Sequence, residues 1–291
     1  MKKLWISIVT LTASASLYAL PVGNPWEASL HTDGILCAGD CPNYWEASSN
    51  WCDAWSIRLG FYGDFVFDRH MQIDTRESNA HLHKTSINTE AAYIAFNAWN
   101  RIDIFGTLGA TNIQFEAPER TFGNPVPFND YTVLETDTDF SWSIGIRATL
   151  WEWGCLGVGA EAQYFSARPH VNFAHNLGRV DALSYQPNNV ILKYREWQIG
   201  LGVAYRINII CEGTALIPYF AVRVGRATMN LDNLAIIISA GAPNTFFNLE
   251  SDDNWGYAAG VTLLGCNKIS VTAEARFITE KAFYINSQFR F

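Results

Sequence analysis

The most reactive side chains in this 291-residue chain are six cysteines: Cys37, Cys41, Cys52, Cys155, Cys211 and Cys266. An even number is compatible with a disulfide set in an oxidising compartment, but spacing alone does not choose among the pairings. The second chemistry is charge. Arg58, Asp64, Asp103, Arg147, Glu161, Glu196, Arg206, Arg223, Glu274, Arg276 and Arg290 sit at alternate positions in otherwise apolar stretches. Lining a water-filled passage, they would set its ion preference. Paired across a narrow interior, they would hold it shut. Six of the eleven are arginines, which favours a weakly anion-preferring constriction. No catalytic motif accompanies them: there is no Gly-x-Ser-x-Gly elbow, phosphate-binding glycine loop or His-Glu-x-x-His. His170 and His175 would be the histidines of a rim Ser/His pair, and nothing else supports one. Cys37-x3-Cys41 and His81-x-His83 lack the partners that a metal site needs. The sequence predicts no enzyme, no metal and no cofactor.

The elements that must position these residues read as strands. From 283 to 291, Phe283, Ile285, Phe289 and Phe291 alternate with Tyr284, Asn286, Gln288 and Arg290. The same period of two runs through 55–68, 139–150, 196–206 and 269–277, where helical spacing fits poorly. Several runs last nine to twelve residues, longer than the usual soluble strand and long enough for a tilted membrane span. One face is apolar and the other carries ionisable groups, the division expected between lipid and a hydrated lumen.

Ten strands are predicted, near 54–68, 87–98, 101–114, 138–151, 155–168, 190–206, 216–229, 255–265, 268–279 and 281–291. Short connections at 99–100, 152–154, 207–215 and 266–267 alternate with long ones at 69–86, 115–137, 169–189 and 230–254. Short turns belong to the periplasm and long loops to the outside, so all six cysteines fall on the periplasmic side. Ten is a lower bound, because 131–136 and 234–239 are apolar enough to add strands. The fold class is therefore all-β: a transmembrane, antiparallel, up-and-down barrel. Gly157-x-Gly159 and Gly200-x-Gly202 sit where they would make room on the lumen face or permit curvature.

Residues 1–19 read as a signal peptide, with Lys2 and Lys3, the apolar run 4–11, and cleavage after Ala19. Residues 20–53 then form a periplasmic N-terminal segment and 54–291 the barrel. Composition agrees, with 14% aromatic and only 16% charged residues against about 25% charged in a soluble domain. A net charge of −8 argues against a nucleic-acid partner. The partner predicted first is outer-membrane lipid.

Several strings resemble the chlamydial major outer membrane porins. They include Leu20-Pro21-Val22-Gly23-Asn24-Pro25, Trp51-Cys52-Asp53-Ala54, the run from Gly60 to Arg69, Thr107 to Thr111, Thr136-Asp137-Thr138, Leu150-Trp151-Glu152, Glu196-Trp197-Gln198 and Asn286 to Phe291. The resemblance implies a compact relative with shortened long loops: a homotrimeric diffusion porin, antigenic at its surface and disulfide-linked to other envelope proteins. It also implies about sixteen strands, against the ten counted. Phe291 ends an alternating strand, as in the signal read by barrel assembly machinery. The alternative is a narrow, non-conducting barrel serving as a structural protein or surface adhesin. Strand number discriminates, since about eight strands leave an interior that side chains can fill.

Overall fold

The computed structural model describes residues 20–31, 55–73, 81–118, 131–177, 184–185, 190–209, 214–232, 248–252, 254–278 and 280–291. Ten long strands form the wall: β1 (Trp55–Arg69), β2 (Lys84–Ala98), β3 (Ile102–Pro118), β4 (Asp139–Trp153), β5 (Leu156–Ala167), β6 (Ile191–Tyr205), β7 (Ala215–Asp232), β8 (Trp255–Gly265), β9 (Ile269–Phe277) and β10 (Glu280–Arg290). Each pairs antiparallel with its neighbours in sequence. β1 then pairs with β10, in register from Arg58–Arg290 to Arg69–Glu280, and closes the cylinder. Closure removes the edges, so every wall strand finds partners for its backbone without water, which hydrocarbon demands.

Alternation divides the wall. Ile57, Phe61, Ile94, Ile104, Ile144, Leu201 and Val203 are exposed on the outside, while Arg58, Asp103, Arg147, Glu196, Arg223 and Glu274 are buried inside. Two turns on one end show why their residues were chosen. Trp99 and Asn100 have φ of 52° and 50°, and Cys266 and Asn267 have 50° and 54°. A two-residue hairpin of this hand needs left-handed backbone at both positions, and asparagine tolerates that best.

The wall thus has the ten strands counted from sequence, and the sixteen implied by resemblance are not reached. Shorter strands extend it at the opposite end. Tyr131–Thr136 pairs with the end of β3 and with Val171–Leu177, which pairs in turn with Ser184–Tyr185. Leu249–Ser251 joins β7 to Met71–Ile73. Parts of the long connections are therefore sheet. Stretch 131–136 is one of the added strands, whereas 234–239 lies outside the described residues.

Candidate functional site

The interior is occupied by the chain's own residues 20–31. This stretch, which sequence assigned to a periplasmic lead, is buried throughout and carries one short helix, α1 (Glu27–Leu30). Its main-chain groups have left water and must find partners in the wall. The nitrogen of Leu20 donates to Glu196 Oε1 at 3.0 Å. Those of Val22 and Gly23 donate to the two oxygens of Glu274, at 3.2 and 2.9 Å. The carbonyl of Leu20 accepts from Arg223, and that of Pro21 from Gln198 at 2.7 Å.

Further along, Asn24 Nδ2 donates to Thr262 at 2.9 Å and Trp26 Nε1 to Glu152 at 2.5 Å. Arg58 donates to the carbonyls of Glu27 and Ala28, both at 2.9 Å, and Arg290 to that of His31. The Glu27 carboxylate meets Arg147 at 3.2 Å and Ser270 at 3.1 Å. Burial pushes the Glu27 carboxyl up, although Arg147 and Arg58 oppose the shift. Burial, reinforced by Arg58 and Arg290, holds the His31 imidazole well below its ordinary range.

The wall is shaped to admit this segment. A methyl group built on Gly157 would overlap the Trp26 ring, and one on Gly159 the Pro25 carbonyl. On β6, a methyl at Gly200 would come within 2.6 Å of Val22, and one at Gly202 within 3.1 Å of Pro25. The two glycine pairs noted in the sequence make room for residues 22–26. Beside Leu20 the space that remains is a cavity of about 10 Å³, roughly the room of one water.

Of the sequence-selected charges, Arg58, Asp64, Asp103, Arg147, Glu161, Glu196, Arg223, Glu274, Arg276 and Arg290 are all buried. They form pairs: Arg58–Asp103 at 3.0 Å, Arg147–Glu161 at 2.5 Å, and Arg276 with Asp64. Arg206 lies elsewhere, just past β6 at the turn end, where it bonds Asn208 and Asn267 at 3.0 and 3.2 Å.

Sequence reasoning missed Arg69, Glu280 and Glu27. A β-bulge at Val66/Asp68 flips the parity of β1, so Arg69 turns inward although Phe67 points out. Arg69 then meets Glu196 at 2.9 Å and donates to Tyr194. Glu280 joins Arg223 at 2.5 Å and lies 3.0 Å from Arg276 Nε. It shares the even parity of Ala282 and Tyr284 and was legible in principle.

The model of the family described as "Chlamydia major outer membrane protein" matches residues 1–79, 75–133, 123–180, 178–252 and 242–291. This chain belongs to that family. A major outer membrane porin of Chlamydia psittaci is 32% identical over 398 aligned positions, covering all of both chains. One from Chlamydia trachomatis, serovar L1, is 31% identical over 399, again covering both. These alignments are longer than the chain, so the relatives carry residues with no counterpart here. Among solved structures, the outer membrane protease OmpT of Escherichia coli is 13% identical, with a TM-score of 0.42 and coverage of 84% of this chain and 96% of that one. Like its family, this chain is a bacterial outer-membrane protein.

The turn end of the barrel carries Cys155 and Cys266 as exposed free thiols. Cys37, Cys41, Cys52 and Cys211 lie outside the described residues. The Phe291 nitrogen donates to the Ile57 carbonyl at 2.9 Å, and its ring lies 5.3 Å from Phe289. His170 pairs with Asp139 at 2.7 Å, His81 with Asp252 at 3.1 Å, and His83 with Glu116 at 2.9 Å.

Proposed function

We propose that the protein is an outer-membrane porin whose resting lumen is closed by residues 20–31, and that it passes small hydrophilic solutes and ions when that segment leaves. The carrying observation is the binding of the segment's backbone to charged groups on β1, β6, β7, β9 and β10. Once it leaves, the same arginines and carboxylates line the passage. Arg58, Arg147, Arg223, Arg276 and Arg290 then carry the anion preference of the passage.

The experiment is planar-bilayer conductance of the full chain beside two variants. One replaces residues 20–31 with a Gly/Ser linker, and the other is Gly159→Val, which collides with the Pro25 carbonyl. The native chain is expected to be silent or to flicker, and both variants to conduct steadily with anion preference. A wide, steady native pore overturns the closed state, and cation preference overturns the assigned selectivity.

A second reading is favoured by the ten-strand wall and its pairs across the lumen: a sealed barrel acting as a structural protein or adhesin. It predicts that both variants stay silent. The family resemblance and the exposed Cys155 and Cys266 support a disulfide-linked envelope role. Homotrimeric assembly belongs to the same proposal, and the mass of the detergent-solubilised complex tests it. Phe291 as assembly signal is tested by deletion, which should abolish heat-modifiable migration.

A further inference from the structure

A groove runs down the outside of β4, β5 and β6. Its floor is Ala162, whose cross-strand neighbours are Ile146 on β4 and Ile199 on β6. Both isoleucines are about half exposed, at 47% and 51%, so they stand proud of the alanine as two walls. The lower part is a cavity of about 460 Å³, with Ile104, Ile144 and Trp197 also on its rim. Tyr164 lines this cavity and a second one of about 530 Å³ above it, joining the two.

The upper cavity changes character. Trp142 and Tyr164 lie 5.7 Å apart and form an aromatic collar with Phe140. Above the collar stand Arg168, just beyond the end of β5, and Arg195, opposite Ser166 on β6. Both are exposed, and neither has an acidic partner among the described residues. His170 is also there, with its ring held by Asp139. From the middle of the wall to its outer end the order is aliphatic, aromatic, basic.

We propose that this groove binds an acylated, phosphorylated lipid of the outer leaflet, with an acyl chain along Ala162 and a phosphate on Arg168 and Arg195. The guanidinium fork matches phosphate geometry, and a lipid-side arginine at the headgroup level needs an anion to meet it. Groove width decides the occupant. Ile146 and Ile199 are two strand spacings apart, about 10 Å between backbones, and their side chains narrow that further. A single hydrocarbon chain fits, whereas a strand or helix of a second copy does not. The inference stands on the outer-membrane location and is independent of whether the lumen opens.

The test reconstitutes the full chain in phosphatidylcholine vesicles containing diphosphoryl lipid A, its dephosphorylated form, or inorganic phosphate alone. Co-extracted ligand is then counted by native mass spectrometry. Diphosphoryl lipid A should be retained at least about tenfold better than the other two probes, a difference of roughly 1.4 kcal/mol. Retention should fall by a similar factor in R168Q/R195Q and in A162L, which fills the floor. All these side chains point outward, and heat-modifiable migration reports assembly. If A162L does not assemble, the arginine pair carries the test. Equal retention by native and variant chains overturns the proposal, as does equal binding of inorganic phosphate. Dissociation of an oligomer by R168Q/R195Q with lipid unchanged would give the groove to a second copy instead.

Discussion

The main-chain nitrogen of Leu20 lies 3.0 Å from Glu196 Oε1, inside the barrel. Glu196 also holds Arg69 at 2.9 Å, so one carboxylate serves the wall and the plugging segment together. If export processing cuts after Ala19, this nitrogen becomes an α-ammonium and the hydrogen bond becomes an ion pair. Processing would then complete the closed state.

Placing Gly-Ser before Leu20 in the mature chain removes the charge there and leaves Arg69–Glu196 intact. Such an extension should raise open probability at least about fivefold, the equivalent of roughly 1 kcal/mol for a charge-assisted bond reduced to a neutral one. Bilayer recordings check it, and an extended chain as silent as the native one would show that the ammonium contributes nothing.

Glu280 lies between Arg223 and Arg276, and all three side chains are buried. Glu280→Gln takes from the buried Arg223 the carboxylate that it pairs with and from Arg276 one of its carboxylates, and removing one partner of a buried pair costs about 3–5 kcal/mol. The temperature at which the folded band converts to the unfolded band in heat-modifiable migration should therefore drop markedly. Ser287→Ala on the same strand, outside the charge network, should leave it unchanged.

Most of the wall was legible because lipid on one side and polar groups on the other impose a strict period of two. The ends of all ten strands fall within four residues of those read from the sequence. Parity carried Arg58, Arg147 and Glu274 inward correctly and failed at Arg69, because a bulge inserts one residue that no periodicity announces. Arg206 was misplaced for a related reason: alternation runs on through the sequence, whereas the strand breaks at Arg206, after Tyr205, and pairing with β7 resumes only at Ile207–Asn208. The interior location of residues 20–31 was the least legible feature. That stretch has no period, and its partners in the wall are 30 to 259 positions distant in sequence. The faint signal was the glycine pairs on β5 and β6, which mark vacant space on the lumen face without naming what fills it.

Cys155 and Cys266 are exposed at the end that carries the tight turns. With that end in the periplasm, a membrane-impermeant maleimide should leave both thiols unlabelled on intact cells and label them after the outer membrane is permeabilised. Labelling is read on single-cysteine chains by mass shift. Reaction on intact cells would reverse the orientation and place the short strands beyond β3 and β7 on the inside.

His31 gives the closed state a pH dependence whose sign follows from its surroundings. Inside the barrel the ring is held neutral by burial, with Arg58 and Arg290 adding to the effect, and neither ring nitrogen has a hydrogen-bond partner among the described residues. Outside the barrel it would titrate near its ordinary 6.5. A base whose pKa is lowered by docking stabilises the docked state above the free value and loses that stabilisation as pH falls below it. Glu27 works the other way, since burial raises its carboxyl pKa and protonation favours the docked form in more acidic solution. The variant His31→Gln isolates the first effect. Between pH 7.5 and 5.5 the native chain should gain open probability by severalfold more than His31→Gln does. Equal pH responses of the two chains would remove His31 from the closure.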